Sequence, residues 1–286
     1  MKIIERTKLW FGLSLAIMAI GLVIILTTGL NFGIDFTGGT LMEINLHKTV
    51  STQEIKTLTD EYDKNMTINF VGEKKEAVQI KTKKDFDSDK RQEVFNKFKE
   101  KYNLKETQPE KANQFGATVG KEIRNNAILS TLIAAVGMLI YVSFRFEFSY
   151  GIASIIALVH DVIILICAYA IFRVPVNSPF VAAVLTVVGY SINDTIVVFD
   201  RIRENMKHAK KNDYANVANQ SISSTISRSI NTSVTTLVAI TSLYVIGVDS
   251  IKDFTLPLIV GMAAGTYSSI FIASPMWVLI KQKTKF

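Results

Sequence analysis

Cysteine and histidine are scarce in this chain of 286 residues, which limits the chemistry that it can support. It contains one cysteine and three histidines. Cys167 lies inside an apolar run, so we expect no disulfide to stabilise the fold. In the polar part of the chain, histidine, cysteine and carboxylate residues do not fall in a metal-ligand or catalytic spacing. We therefore expect no catalytic residue, no metal site and no bound cofactor.

Apart from one polar segment after the first run and one near 200–229, the sequence has few polar stretches, because apolar runs of membrane-spanning length dominate it. Hydrophobic residues make up 49% of the chain, and its mean hydropathy is +0.27. Since about 20 apolar residues cross the hydrocarbon core of a bilayer, the pattern predicts a polytopic α-helical membrane protein with six transmembrane helices. The six runs are 9–30, 126–144, 150–171, 180–199, 230–248 and 254–280.

Basic residues are nearly absent from some loops and concentrated in others. The short loops 172–179 and 247–253 carry only Arg173 and Lys252. Because cytoplasmic loops carry an excess of Lys and Arg, we place both termini and the loop 200–229 in the cytoplasm. The net charge of +7 then reflects membrane topology, and we expect no nucleic-acid partner. The basic groups are Lys2, Arg6 and Lys8; Arg201, Arg203, Lys207, Lys210 and Lys211; and Lys281, Lys283 and Lys285.

Two basic segments flank apolar runs and need an interpretation of their own. The first run follows a basic region, as in a signal peptide, but it is too long and no small-residue cleavage site follows it. We expect it to remain as an uncleaved anchor. The basic and polar run 201–227 is either an amphipathic helix on the cytoplasmic leaflet, with lipid as its partner, or a solvated loop.

The polar segment after the first run predicts a small α+β domain outside the cytoplasm. Its alternating and helical patterns give the order β-α-β-β-α, with residues near 106–118 available for a last strand, which is a ferredoxin-like plan. Ser51-x-x-Glu54 is a capping box that opens the first helix. We interpret this domain as a binding or mechanical module. The chain then divides into 1–30 (cytoplasmic N-terminus and first span), 31–120 (ferredoxin-like domain) and 121–286 (remaining five spans).

Ionisable residues inside the apolar runs are the main candidates for function. Asp194 lies in the fourth run, Arg228 just before the fifth, and Asp161 near the middle of the third. Such residues cost about 2.5–3.5 kcal/mol to insert at the centre of a spanning helix, so they indicate function by default. The fourth and fifth spans run antiparallel from one loop, so we expect Asp194 and Arg228 to meet at similar depth as partners; the sequence leaves open whether they pair in every conformational state.

These buried charges have two interpretations. They are either a structural network that fixes helix register or a pathway for protons. Buried ion pairs contribute little net stability compared with apolar replacements, which favours protons as the coupling ion. We interpret His160 as a packed, hydrogen-bonded partner in this network, with direct proton relay as the alternative. The polar residues Asn193, Asn231 and Thr235 either bond between helices or hold waters for proton transfer.

The junction between the first run and the domain carries a glycine-rich motif, residues 31–40. Gly38 and Gly39 suit tight turns. Asp35 is either a turn residue that bonds its own backbone or part of a functional motif. In the last run, Gly261-x-x-x-Gly265 permits close helix packing.

Several motifs along the whole chain match one family. They are GIDFTGGT at 33–40, FGATVG at 115–120, HDV at 160–162, GYSINDTIVVFDRIREN at 189–205, SRSINTSVTT at 227–236 and GTYSSIFIASP at 265–275. With these motifs the chain resembles the SecF subunits of the bacterial SecD–SecF protein-export family, within the resistance-nodulation-division superfamily. Ser229 stands where that family often has threonine, and the hydroxyl is retained.

The resemblance implies a function and a set of partners. Its members form a complex with SecD, which supplies a matching six-span half, in the bacterial cytoplasmic membrane. They assist the SecY–SecE–SecG channel and the SecA motor, and couple inward proton flow to late export of the preprotein. Asp194, Arg228 and Asp161 match the family's proton-pathway positions, and Asp35 belongs to its first outer motif. With one six-span half, we expect a separate subunit.

Two other functions compete with this interpretation. The first is a proton-coupled exporter half for small molecules or lipids, from the same superfamily; the single small outer domain, without an apolar cavity-lining sequence, argues against it. The second is an intramembrane aspartyl protease, in which Asp161 and Asp194 share a proton to activate water. Residues 189–194 read GYSIND, so the GxGD motif of such enzymes is missing.

Overall fold

The computed structural model describes residues 2–72, 74–210 and 212–283, so Lys211 and Lys285, two of the predicted cytoplasmic lysines, lie outside the described residues. A short 3₁₀ turn, Ile4–Arg6, precedes the first helix, and a π-helical segment, Ser269–Ala273, joins the last two. The elements are α1 Thr7–Thr28, α2 Ile34–Thr37, β1 Gly39–Asn45, α3 Thr52–Thr59, β2 Thr67–Val71, β3 Ala77–Thr82, α4 Ser88–Tyr102, β4 Lys111–Phe115, α5 Ala117–Arg145, α6 Phe148–Ile171, α7 Ser178–Met206, α8 Tyr214–Ile246, α9 Asp249–Ser268 and α10 Ser274–Lys283.

The predicted transmembrane helices are confirmed. Within the described part of the chain, six helices are long and apolar enough to cross a bilayer. The spans formed by α6, by α7 and by α9 together with α10 bury about half of their most apolar window, whereas those of α1, α5 and α8 bury 11% or less. The first set therefore forms the core of the bundle, and the second set presents most of its surface outward.

The predicted ferredoxin-like domain is also confirmed. Its four-stranded sheet has the order β2-β3-β1-β4, and every neighbouring pair is antiparallel. Ile44 of β1 lies opposite Val78 of β3, and both side chains are fully buried. Helices α3 and α4 cover this face and contribute Ile55 and Phe98 to the core. The serine half of the predicted capping box forms, since Ser51 Oγ accepts a hydrogen bond from Glu54 N at 3.2 Å, while the Glu54 carboxylate accepts one from the Tyr102 hydroxyl at 3.1 Å.

The glycine-rich motif contains one helical turn, α2, that the sequence did not suggest. Beyond it, Gly39 takes a φ of +141°, and a Cβ there would lie 2.2 Å from the carbonyl oxygen of Thr82. On α5, a Cβ at Gly120 would lie 2.6 Å from the carbonyl oxygen of Phe36. Only glycine allows these close approaches. The motif therefore brings the first strand, α2 and the start of α5 together above the bundle.

The connection between α7 and α8 is shorter than the loop expected at 200–229. Helix α7 continues to Met206 and α8 begins at Tyr214, so the polar run is mostly helical. Side-chain hydrogen bonds join the two helices beyond the apolar region, from Arg201 Nε to Ser224 Oγ at 3.2 Å and from Asn205 Nδ2 to Ser221 Oγ at 2.8 Å. Neither the leaflet-bound helix nor the solvated loop describes this antiparallel extension.

The centre of the bundle depends on small residues. A Cβ added at Gly261 would lie 2.3 Å from Val187, and one at Gly265 would lie 2.9 Å from Ser191. The two glycines of the predicted packing motif thus let α9 approach α7 closely. This approach brings the polar residues of α7 and α9 within hydrogen-bond distance of one another.

Polar contacts hold the α/β domain on the bundle. Phe70 N donates to Asp249 Oδ2 at 3.2 Å, and Lys81 Nζ lies 3.8 Å from Asp253 Oδ2. Between the first two α-helices, Gly33 N donates to Val176 O at 2.7 Å. The domain is therefore tied both to the start of α9 and to the loop before α7.

Candidate functional site

Asp161 lies at the centre of a buried hydroxyl cluster. It sits on the buried face of α6 and is 1% exposed. Its Oδ2 accepts hydrogen bonds from Ser191 Oγ of α7 at 2.5 Å and from Ser268 Oγ of α9 at 2.8 Å. Its Oδ1 lies 2.9 Å from His160 Nδ1. One carboxylate therefore joins three of the spanning helices.

His160 continues this cluster toward the first span. Its Nε2 lies 2.8 Å from Ser14 Oγ, and Ser14 Oγ lies 3.4 Å from the hydroxyl of Tyr267. The Tyr267 hydroxyl donates to the Trp10 carbonyl oxygen at 2.8 Å. With a neutral ring protonated on Nδ1, Ser14 donates to Nε2; with a doubly protonated ring, Nε2 donates to Ser14 and Ser14 donates to Tyr267. Rotation of one hydroxyl thus accommodates either state of the imidazole.

Asp194 forms a second buried site, on α7. It is 3% exposed, and its Oδ2 accepts a hydrogen bond from Ser233 Oγ of α8 at 3.3 Å. Ser233 Oγ in turn accepts from Thr266 Oγ1 of α9 at 2.6 Å. Either an N–H or an O–H group can donate a hydrogen bond to a carboxylate. The donor to Asp194 is the Ser233 hydroxyl, which is itself hydrogen-bonded to the Thr266 hydroxyl.

The two carboxylates are neighbours without touching. Ser191, which binds Asp161, precedes Asp194 by three residues on α7, a rise of about 4.5 Å along the helix. On α9, Thr266 and Ser268 belong to the two sites separately. Among the described residues, no hydrogen bond joins Asp161 directly to Asp194. A protease dyad requires carboxyl groups about 3 Å apart that share one proton, so the geometry disfavours that competing function.

Arg228 does not pair with Asp194, contrary to our expectation. It is exposed on α8, and within the described chain its guanidinium forms no ion pair with Asp194. Ser233 faces Asp194 instead. Five residues separate Arg228 from Ser233, which places them about 140° apart around the helix. Similar depth was therefore not enough to bring the two charges together in the single chain.

The expected supporting residues also lie away from the carboxylates. Asn193 on α7 and Asn231 and Thr235 on α8 are exposed, and Thr235 Oγ1 bonds to the carbonyl oxygen of Asn231 at 3.0 Å on its own helix. Together with Arg228 they form a set that we call the open polar face: Asn193, Arg228, Asn231 and Thr235. His160 is the supporting residue that the structure does bring to a carboxylate.

Most of the hydroxyls at these sites had no role predicted from sequence. Ser14, Ser191, Ser268 and Thr266 were not singled out, although each lies in an apolar run. Their spacing carried a weak signal, since Ser191 falls one turn before Asp194 on the same helix. Ser229, one turn before Ser233, is buried and its hydroxyl has no hydrogen-bond partner among the described residues.

Asp35 has a structural partner on the bundle. Its Oδ2 accepts a hydrogen bond from Ser178 N at 2.8 Å, at the first turn of α7. Negative charge is favourable at a helix N-terminus, where backbone N–H groups point outward without intrahelical partners. Asp35 therefore caps the helix that carries Asp194, rather than bonding its own backbone. Gly38, with a φ of +80°, follows α2 and redirects the chain toward β1.

Comparison with known proteins identifies the family. The sequence model described as "Protein export membrane protein SecD/SecF, C-terminal" matches residues 94–283, and that of the "SecD/SecF GG Motif" matches residues 23–50. The chain therefore belongs to the SecD/SecF family of protein export membrane proteins. The resemblance inferred from the motifs is confirmed, and the GG motif includes the turn that we describe at Gly38 and Gly39.

Individual relatives match over nearly the whole chain. Protein translocase subunit SecF of Sebaldella termitidis is 36% identical over 100% of this chain and 93% of its own length. SecF of Petrotoga mobilis is 35% identical over 99% of this chain and 97% of its own length. The crystal structure of SecDF from Thermus thermophilus, a translocon-associated membrane protein, superposes with a TM-score of 0.84 at 34% identity. It covers 99% of this chain, which corresponds to 39% of that longer chain.

Proposed function

We propose that this chain is an accessory subunit of Sec-dependent protein translocation, without enzymatic chemistry of its own, that couples proton movement through its bundle to late steps of export. The family and the SecF relatives support the translocation role. The proton role is supported by one observation above others: two buried carboxylates, Asp161 and Asp194, are solvated inside the bundle by hydroxyl groups from neighbouring helices.

Hydroxyl partners suit a carboxylate that gains and loses a proton. An ionised Asp194 accepts a hydrogen bond from Ser233, whereas a protonated Asp194 has a hydrogen to donate, and a serine hydroxyl can serve either state by rotating. Because Ser233 also contacts Thr266, protonation of Asp194 reorders bonds among α7, α8 and α9. A guanidinium, which only donates, would not provide this exchange.

We propose that the Asp161 cluster is a second proton-binding site. His160 adds a base whose two ring nitrogens contact Asp161 and Ser14. Protons bound at this cluster change contacts among α1, α6, α7 and α9. Since Asp35 caps α7 and Asp249 and Asp253 bind the α/β domain, movements of α7 and α9 reach that domain. We propose that this connection turns proton passage into motion outside the cytoplasm.

The open polar face supports a partner half. Polar and charged side chains exposed on spanning helices are costly in lipid, so they face protein or a water-filled cavity. Longer relatives such as SecDF of Bacillus subtilis match this chain over 38% of their length. We propose that SecD supplies a second six-span half that covers Asn193 and Arg228, and that Arg228 acts near Asp194 in that complex. The assembly then works beside the SecY–SecE–SecG channel and SecA on the emerging preprotein.

The proposed location follows from the charge pattern. Six spans put both termini on one side, and the basic residues at Lys2, Arg6 and Lys8 favour the cytoplasm for that side. The α/β domain then lies on the opposite face of the bacterial cytoplasmic membrane. This places it where a translocated chain emerges.

The proton role is tested in inside-out membrane vesicles that contain this chain and its partner half. Completion of preprotein export is followed after ATP is exhausted, with and without a proton gradient. In wild type we expect the gradient to drive completion, and in Asp194→Asn and Asp161→Asn we expect the rate to fall to that without a gradient. Asp60→Asn is the matched control, because Asp60 is exposed on the α/β domain, and it should respond like wild type.

Assembly is checked in the same vesicles by co-purification of the partner half. If the two bundle variants assemble normally and still respond to the gradient like wild type, the carboxylates are structural. The gradient would then act through the partner half or the channel. The translocation role would survive that outcome, whereas an absence of any export defect on deleting the chain would refute it.

A further inference from the structure

An apolar groove opens on the bilayer face of the bundle, beside the α/β domain. Its volume is about 420 Å³, within the range of about 300–1,000 Å³ that is usual for small-molecule sites. It lies between α5, α6 and α7, and its walls include Phe36, Ile128, Leu132, Ile166 and Phe180. The groove is separate from Asp161, Asp194 and the open polar face.

A single cation stands at the end of this otherwise apolar groove. Arg124 is the charged residue of its lining, and it lies on α5 near the α/β domain. It is exposed, and among the described residues its guanidinium forms no ion pair. Lys121 precedes it by one turn on nearly the same side of the helix, while Glu122 points about 160° away from Arg124. The turn of α5 beside the groove is therefore basic, and the Arg124 guanidinium extends from it outside the apolar wall.

The length of the groove matches one leaflet of a bilayer. Along α5, Arg124 and Leu132 are eight residues apart, a distance of about 12 Å. Half of the hydrocarbon core of a bilayer is about 15 Å thick. Arg124 lies two residues before the apolar run 126–144, so it stands at the end of the apolar part of α5 that is nearer the α/β domain. A cation at the top and apolar walls below reproduce the polarity of a phospholipid.

We propose that this groove binds one anionic phospholipid from the leaflet next to the α/β domain. One acyl chain fills the groove between α5 and α7, and the phosphate accepts hydrogen bonds from the Arg124 guanidinium. Arginine suits this role because its planar donors match phosphate oxygens. A partner helix does not fit, since a helix with its side chains is about 10–12 Å wide.

Binding there has a consequence for the domain junction. Phe36 belongs to α2, in the motif that joins the first span to the sheet, and it lines the groove together with Phe180 of α7. A bound acyl chain therefore packs between the motif and the helix that carries Asp194. The lipid would support the seating of the α/β domain on the bundle.

The test uses the full chain, with its partner half, in vesicles of phosphatidylglycerol and phosphatidylcholine. A phosphatidylglycerol with a photoactivatable group in one acyl chain labels its neighbours, and the labelled peptides are mapped. We expect labels on the groove side of α5 and on the start of α7. Unlabelled phosphatidylglycerol should compete better than phosphatidylcholine.

Variants separate the groove from general lipid contact. In Arg124→Gln we expect groove labelling to fall about tenfold, the size that loss of a hydrogen bond to a charged group produces, and Arg124→Lys to restore part of it. Ala127→Phe should fill the groove and abolish the labels. Leu129→Phe is the control, because Leu129 is 55% exposed on another side of α5 and should leave groove labelling unchanged.

Three results would overturn the proposal. One is equal labelling of the groove and of the Leu129 side, unaffected by Arg124→Gln and Ala127→Phe. Another is equal competition by both unlabelled lipids. The third is labelling that disappears when the partner half is present, which would show that protein covers the groove.

Discussion

Ser233 Oγ lies 3.3 Å from Oδ2 of Asp194 and joins that carboxylate to α9 through Thr266. The contact connects three spanning helices at one buried point. Its partner is a neutral group that both donates and accepts hydrogen bonds. The hydrogen bonding of Asp194 within this chain therefore depends on hydroxyl orientation, and Arg228 joins it only in the two-subunit complex that we propose.

Replacement of Ser233 by alanine tests this dependence. We expect Ser233→Ala to destabilise the protein by about 1–3 kcal/mol, because a buried carboxylate loses a hydrogen-bond donor, and to slow gradient-driven export. Thermal unfolding in detergent and the vesicle assay measure the two effects. Ser242→Ala is the matched control on the same helix, since Ser242 is exposed and, among the residues that the structure describes, its hydroxyl bonds to the Val238 carbonyl oxygen alone. Equal melting of the two variants would contradict the importance of the contact.

Arg228→Leu should separate assembly from stability. Because Arg228 is exposed and unpaired with Asp194 in the described chain, we expect the unfolding free energy of the isolated subunit to change by less than about 0.5 kcal/mol. Association with the partner half, measured by co-purification, should weaken. Lys64→Leu, an exposed position on the α/β domain, should leave both quantities unchanged. A large loss of stability in the isolated subunit would mean that Arg228 is buried there.

The glycine-rich motif gives a prediction about packing. We expect Gly39→Ala to cost about 2 kcal/mol or more, because the new Cβ would lie 2.2 Å from the Thr82 carbonyl oxygen in a backbone with φ of +141°. Gly72→Ala shares a positive φ, +84°, but no atom lies within 4 Å of its Cβ position, so it should cost only about 1 kcal/mol. Thermal unfolding of the two variants in detergent separates the two effects, because Gly39→Ala combines a steric clash with backbone strain and Gly72→Ala has the strain alone. Similar melting temperatures would rule out the clash.

Acid should loosen the seating of the α/β domain at Asp249. Burial raises the pKa of this carboxyl, but hydrogen bonds from Lys252 and Phe70 N, with the charge of Lys252, outweigh burial and hold the pKa below its usual value. A lowered folded-state pKa stabilises the contact above the unfolded value of about 3.9, and this stability is lost as the pH falls through the folded value.

Hydrogen exchange of the Phe70 amide measures this effect. The ratio of its exchange rates in Asp249→Asn and wild type should be well above one near neutral pH and should approach one in acid. Asp60→Asn is the control, and its ratio should stay near one throughout. A ratio for Asp249→Asn that is independent of pH would show that ionisation of Asp249 does not hold the domain.

The patterns in the sequence predicted the elements well, because each depends on local periodicity. Runs of about 20 apolar residues identified the spans. Alternation of apolar and polar residues, together with the Ser51 cap, identified the α/β domain and its ferredoxin-like order of elements. Helix α2 was missed because four residues carry no periodic signal. The end of α7 was placed too early and the start of α8 too late. Apolar length measures the bilayer, whereas helices continue into water when side chains such as Arg201 and Asn205 find partners.

The sequence predicted how deep the site residues lie along their helices, but not which way their side chains face around each helix axis. Distance along a helix follows from counting residues, and this placed Asp161 and Asp194 inside the bundle. Which side chains meet depends on rotation of each helix about its axis, which tertiary packing sets. That rotation selected Ser233 over Arg228. Ser14 was beyond prediction, because its contact with His160 joins residues 146 positions apart.

The continuity of α5 has a mechanical consequence. This helix runs for 29 residues, about 43 Å, and begins two residues after the edge strand β4 ends at Phe115. It is therefore a stiff element, and the single residue between β4 and α5 allows little independent movement of the strand and the helix. A tilt of about 10° around its midpoint displaces the upper end by about 4 Å. A rotation of this size within the bilayer would reach the sheet as a translation longer than the hydrogen bonds that hold the domain on the bundle.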